Sequence, residues 1–385
     1  MGPCLRRRGG KRVPPGAGEL SLHHAGRAVL SALRAAVLTD LPFYILIAMY
    51  VAAAFGLQAL VGVPGEVDIP MSWRWLLTMS FWYAGLAAIV AGFRAARDPD
   101  RRILDVGDWI RIGRERTPPA RILSFLLLGG LLPIWFHVFV RFKVAIPEVK
   151  PFSLDVLFMH IDRIVHFGVH PWIALQPLLG DPVVTQFIDL VYYVWFPAVW
   201  ITFIWQALHG SHDRLRSQYL LSFGLCWVLL GTVAATLLSS AGPIFFAEVT
   251  QATDPYEPLM AYLRSVNAET PLGTFRVREM LWNAYVGLPS DGAGISAMPS
   301  LHISMVVLMM LLGFQVRRTL GIAFSVFAVL IFVGSIHLAW HYAIDAYVSV
   351  AGTILIWKLS GSIVRRWHDT RPGELGTVGA RPDSR

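Results

Sequence analysis

MPSLHISMVVLMMLLGFQVRRTLGIAFSVFAVLIFVGSIHLAWHYAIDAYVSVAGTILIWKLS, residues 298–360, decides the fold. It holds three apolar blocks, 298–316, 319–337 and 342–360, parted only by Arg317-Arg318 and by Leu338-Ala339-Trp340. Each block comes close to the roughly 20 residues that a helix needs to cross the hydrocarbon core of a bilayer. They are far too long for barrel strands, and a helix pairs all its own backbone groups within lipid. Three helices joined this tightly must run back and forth, so a residue at the start of the first lies at the depth of one at the start of the third. His302 and His341 are such residues.

Five further blocks lie upstream, at 41–62, 74–94, 122–142, 184–207 and 218–239. The expected fold is therefore all-α: a polytopic transmembrane helical bundle of about eight spans. The composition agrees, with 55% apolar and only 15% charged residues, where a soluble domain carries roughly 25% charged. The organisation reads as a basic disordered cytoplasmic tail over 1–38, two additional transmembrane helices and a cytoplasmic loop over 39–121, a six-span core over 122–362, and a cytoplasmic tail over 363–385. The first tail contains Arg6-Arg7-Arg8 and Lys11-Arg12, suited to anionic headgroups. No short apolar core with a cleavage site follows these charges, so it does not read as a signal peptide.

The net charge of +8 would suggest nucleic acid in a soluble protein. Here it follows the bias of positive charge toward cytoplasmic loops, and no nucleic-acid partner is expected. Eight spans put both termini on one side, and that side receives 25 of the 33 Lys and Arg. The termini are therefore expected in the cytoplasm and the histidine face on the opposite, periplasmic or extracellular side. Cys4 and Cys226 stand in unlike settings, so neither a disulfide nor a thiolate zinc site is expected. Two long connections, 143–183 and 240–297, fall on the histidine side, and each contains an amphipathic stretch read either as a headgroup-level helix or as a lid. No internal repeat is visible, which argues against a secondary transporter.

His341 and Asp345 stand at i and i+4 and share a helix face. A carboxylate placed there accepts the Nδ1 proton and leaves Nε2 with its lone pair, as nucleophile or base. A carboxylate one turn inside an apolar helix is costly and faces a partner or a wet cavity. Gly292-Ala293-Gly294-Ile295-Ser296-Ala297-Met298-Pro299-Ser300-Leu301-His302 reads as a loop running into a helix start, with Pro299 in the first turn. Free N–H groups at such a start suit an anion such as phosphate, with Gly294 allowing a tight path and Ser300 supplying a hydroxyl. His302 can then protonate a departing oxygen.

Ala297-Met298-Pro299-Ser300-Leu301-His302 and His341-Tyr342-Ala343-Ile344-Asp345 resemble the second and third signature motifs of the type 2 phosphatidic acid phosphatase superfamily. The resemblance is greatest to its inositol phosphorylceramide synthase-like branch, and covers roughly 150–360. It implies a six-helix phosphatase-like core and a membrane phosphotransferase or phosphatase acting on a lipid phosphate or phospho-headgroup at the outer leaflet. It implies His341 as nucleophile through a phosphohistidine, Asp345 as its orienting charge, and His302 as general acid, then base. It implies no metal and no cofactor, a membrane lipid as substrate, and either water or a polyol such as inositol as acceptor. The multi-pass protein would sit in the plasma (inner) membrane.

The chain departs from the superfamily in lacking the Lys-and-Arg-Pro first motif and the Ser-Arg pair before the third. At the corresponding end of the fifth span stands Ser239-Ser240-Ala241-Gly242-Pro243-Ile244-Phe245-Phe246, which resembles a Pro-aromatic segment of the synthase-like branch. Phosphate charge must then be met elsewhere. Arg276, Arg278 and Lys150 are on the histidine side and are the candidates. Asp189, with Gln186, either lines the pocket or joins helices. A non-enzymatic transporter or scramblase is the reading of another class; it calls for polar residues near mid-bilayer, whereas the ionisable pair here sits toward one face.

Overall fold

The computed structural model describes residues 27, 30–61, 77–78, 81, 84–85, 119–209, 213–290 and 294–371. Among them there are helices and no strand. We number them in chain order: α1 Leu30–Thr39, α2 Leu41–Val61, α3 Pro119–Val149, α4 Asp155–Val165, α5 Pro171–Leu179 and α6 Pro182–His209. Then follow α7 Asp213–Leu237, α8 Glu257–Glu269, α9 Gly273–Tyr285, α10 Leu301–Val316, α11 Arg318–His337 and α12 Ala343–Asp369. Five of these, α3, α6, α7, α11 and α12, are long and apolar enough to cross a membrane; α1 with α2, bent by 73°, would make a sixth.

The apolar blocks of the sequence all became helices where they are described. The expected span 74–94 lies outside the described residues apart from a few positions. Two boundaries move. The basic tail over 1–38 ends in a helix, α1, and the tail over 363–385 begins with the last turns of α12, which runs on to Asp369. Pro299 is not in the first turn of a helix: it follows a cis peptide bond from Met298, and α10 begins at Leu301 with Ser300 as its N-cap. The Ser300 hydroxyl accepts the Ile303 N–H at 3.3 Å, one of the donors that a helix start leaves unpaired.

This late start has a consequence for depth. Sixteen residues give α10 a length of about 24 Å at 1.5 Å per residue, against a hydrocarbon core of about 30 Å. The helix is enclosed by α6, α7, α11 and α12, with Ile303, Met305, Val306, Val307, Leu308 and Leu312 buried. A short helix at the centre of the bundle leaves its first residues recessed from the surface. Lipid-facing side chains are carried by the helices around it, among them Leu126, Phe187, Val326 and Leu355. Beside α10, the middle of α7 widens into a π-helix over Cys226–Ala234, a form often found at functional sites. Gly231 in that segment receives Leu301: a Cβ there would lie 2.6 Å from Leu301 Cδ1.

The loops at this end are tied main chain to main chain. The Ala297 N–H donates to Ser240 O at 2.9 Å, and the Ile244 N–H to Ala339 O at 2.8 Å. Gly242, at φ +91°, has no room for a Cβ, which would lie 2.6 Å from Trp340 O. Three segments distant in sequence thus form one floor, around 240, 297 and 340.

Candidate active site

His341 and Asp345 meet, though not on one helix face as their spacing suggests: α12 begins at Ala343 after an extended Tyr342, so His341 precedes the helix and reaches back to its first turn, with Nδ1 3.0 Å from Oδ2 of the buried Asp345. With the proton on Nδ1, His341 donates to the carboxylate and Nε2 carries the lone pair. Ser300 Oγ stands 3.1 Å from that Nε2. The N-cap of α10 therefore touches the working nitrogen of the residue pair that opens α12. His302, two residues on, places its ring 6.0 Å from the His341 ring, centre to centre, with the two rings inclined edge to face at 61°.

The two histidines are held by different means. His341 has a carboxylate and a hydroxyl. His302 is packed among aromatic rings of α6: Tyr192 stacks on it at 4.7 Å, Trp195 lies at 4.3 Å, and Phe196 meets it edge-on at 6.2 Å. The Trp195 indole also donates to His302 O at 2.9 Å. These positions, i, i+3 and i+4, form one face of α6.

The remaining expected ligands are placed as follows. Ser300 is at the centre. Gly294 lies on the backbone of α3, where a Cβ would come within 2.3 Å of Lys143 O. Asp189 of α6 ties down the start of α9: its oxygens accept from the Gly273 N–H at 2.8 Å, the Thr274 N–H at 3.0 Å and the Thr274 hydroxyl at 2.7 Å. It joins helices, and with Gln186 it also lines a surface pocket beside Tyr193 and Gly273, away from the histidine pair. Arg278 is paired with Glu248 and donates to Ile244 O, with its guanidinium 5.4 Å above the Phe245 ring. Lys150 donates to Leu237 O at 2.5 Å, at the end of α7. Arg276 is exposed on α9. These contacts dock the outer helices, and none of them brings Arg276, Arg278 or Lys150 onto the histidine pair.

Lys143 of α3 is a cation that the sequence reading did not single out as a site residue, and the loop that precedes Ser300 rests on its backbone at Gly294. The signal was present: a lysine inside an apolar helix is costly and faces a partner or a wet cavity. The expected span ended at 142, one residue short of it, whereas α3 runs on to Val149.

Also missed were Asp155 and Asp162 of α4, both buried. Asp155 accepts the N–H groups of Ala241 and Gly242 at 3.0 and 2.8 Å and the Tyr342 hydroxyl at 2.9 Å. Asp162 accepts the Ala343 and Ile344 N–H groups at 3.2 and 3.0 Å, at the start of α12. Burial pushes both carboxyls above the usual range, and these donors oppose the push. They bracket His341 from its C-terminal side and fix the floor on which it stands.

A base oriented by a carboxylate, a hydroxyl on its other nitrogen and a second imidazole with its ring centre 6.0 Å away can pass a phosphoryl group through a histidine. Comparison with known proteins bears on this chemistry. Neither a curated protein nor a solved structure matches the chain. A family described as the PAP2 superfamily matches residues 157–359, which include His302, His341 and Asp345. With more than half of its length matched, and the two histidines and the aspartate at one recessed site, the chain belongs to the PAP2 superfamily of membrane phosphatases and phosphotransferases.

Proposed function

We propose that this enzyme is a phosphotransferase acting on a lipid phosphate or phospho-headgroup at the outer leaflet of the plasma (inner) membrane, with its termini in the cytoplasm. The observation that carries the reading is the chain of contacts from Asp345 through His341 to Ser300, with His302 across a gap of 6.0 Å. In the first half-reaction His341 Nε2 attacks phosphorus and the bond from phosphorus to the leaving oxygen breaks. His302, protonated, gives its proton to that oxygen. The positive charge that develops on the His341 ring is met by Asp345. In the second half-reaction His302 takes a proton from the acceptor hydroxyl, whose oxygen attacks phosphorus as the P–N bond breaks. In this reading Lys143 and the Ser300 hydroxyl meet the equatorial oxygens, where charge gathers.

In this reading Lys143, an ammonium in the outer part of α3, takes the part of the missing first motif. The acceptor is read as a polyol such as inositol, on the resemblance of the Ala297–His302 and His341–Asp345 motifs to the synthase-like branch. Water as acceptor would make the same site a phosphatase of polyprenyl or phosphatidate type.

The test is purified protein in mixed micelles with radiolabelled lipid phosphates and phosphoinositol lipids. Free phosphate, released lipid alcohol and inositol phosphate are followed with and without inositol. An acid-labile, base-stable protein-bound label after rapid quench is the expected mark of the phosphohistidine. Inositol phosphate that rises with inositol concentration at the expense of free phosphate supports transfer. Phosphate release indifferent to every alcohol offered would replace transfer by hydrolysis, and absence of any bound label during turnover would remove the covalent route.

A further inference from the structure

The elbow between α4 and α5 presents apolar side chains that no part of the bundle covers. Phe167 is 99% exposed, Ile164 75% and Leu178 77%, and Leu157, Val169 and Ile173 continue the surface. This is not a loose loop. The Gly168 N–H donates to Arg163 O at 2.8 Å, the Arg163 Nε–H returns to Gly168 O at 2.8 Å, and the Val169 N–H reaches His166 O at 3.2 Å. Phe167 itself is at φ +59°. A bulky residue rarely adopts that conformation, and Gly or Asn would turn there with less strain. The fold holds a phenyl ring outward on a pinned turn.

What covers this surface is indicated by its neighbours. His166 Nε2 lies 2.9 Å from the Tyr347 hydroxyl, and Tyr347 is a half-exposed residue of the spanning helix α12. α5 packs on α11, whose outward side carries Val326 and Val329. The elbow is thus continuous with the flank of the bundle that faces hydrocarbon. Its exposed polar residues are His160 and Arg163, a cationic margin to an apolar patch, as in helices that lie in the plane of a membrane.

We propose that the α4–α5 elbow is seated in the lipid of the leaflet on the histidine side, with Phe167 as its deepest side chain. The opposite face of α4 carries Asp155 and Asp162, which hold Gly242, Tyr342, Ala343 and Ile344 around His341. One short helix therefore touches lipid on one side and the floor of the site on the other. Resting on the phosphotransfer reading, the seat fixes the depth at which a lipid headgroup meets His341 and His302.

Two arms test this on the full chain in phosphatidylcholine–phosphatidylglycerol vesicles. The first does not depend on activity: a nitroxide is attached to Phe167→Cys in a Cys4→Ser background, with the parent lacking the new cysteine as control. Collision with oxygen should exceed collision with a water-soluble nickel chelate. Dominance of the chelate would mean that the elbow stands in water. A label shielded from both would mean that protein, a second copy included, covers it. Either result overturns the proposal. The second arm is Ile164→Asp with Phe167→Asp. Turnover of a long-chain lipid phosphate in vesicles should fall about tenfold or more, while turnover of a short-chain, water-soluble lipid phosphate stays within about twofold. Equal change on both substrates would sever the link between seat and headgroup. If the parent turns over neither substrate, the phosphotransfer reading falls and the nitroxide still decides the elbow.

Discussion

Two buried polar clusters stand at opposite ends of the bundle, and they are built differently. Away from the histidines, Asp40, at the bend between α1 and α2, meets Arg216 and Ser217 of α7 and Ser124 of α3. One carboxylate oxygen accepts the Ser217 hydroxyl at 2.8 Å; the other accepts the Ser124 hydroxyl at 3.1 Å and an Arg216 N–H. Arg216 donates further to Ser124 Oγ at 2.7 Å and to Ala207 O at 3.2 Å. At the histidine end, Asp345 has one oxygen on His341, while its Oδ1 and the buried Tyr192 hydroxyl have no hydrogen-bond partner among the described residues. A saturated cluster has nothing to offer a ligand and serves to hold helices together. An unsaturated one keeps lone pairs and protons for a reaction.

Substitutions can break this contrast or sharpen it. The largest effect belongs to His341→Ala: phosphoryl turnover per folded molecule should fall by about 10⁴-fold or more. A variant that turned over at the parent rate would remove the nucleophile. Arg216→Ala should do the reverse. Leaving Asp40 buried without its cation should cost about 3–5 kcal/mol of stability, read as a lowered unfolding midpoint, while kcat per folded molecule holds. Lys143→Met should reduce kcat/KM by about 10–100-fold, the worth of a charged hydrogen bond to a phosphoryl oxygen. Lys143→Arg should recover part of it, and an unchanged rate would return the phosphate cation to the outer loops. Ser217→Ala is the smallest step, about 1 kcal/mol of stability, with activity untouched.

The spans were legible because length and apolarity are enough to make a membrane helix, and the His341–Asp345 pair because the two are close in sequence, although His341 lies just before α12 and not on its face. The missed contacts share a different property. Asp155 binds Ala241 and Tyr342 across 86 and 187 residues, and Ser300 reaches His341 across 41. Nothing local marks those meetings. Lys143 was lost for a third reason. A hydropathy window ends where Lys143, Glu148 and Lys150 lower the mean, but the helix continues to Val149 because its backbone is paired and its flank is packed. The outer-loop arginines misled in the opposite sense: a positive charge on the correct side is not yet a charge at the site, and Arg278 is engaged with Glu248.

The floor beneath the site also bears on how its specificity can change. The segments at 240, 297 and 340 are joined through backbone N–H and C=O groups, which every residue type but proline supplies. The side chains of Ala241, Ala297 and Ala339 are buried in that floor, which has little room for larger ones. A breeder of new acceptors would do best to leave these loops alone and vary the walls: the aromatic face of α6 and the outer turns of α3. The reaction resides in the main-chain frame, and the choice of molecule falls to the helices that surround it.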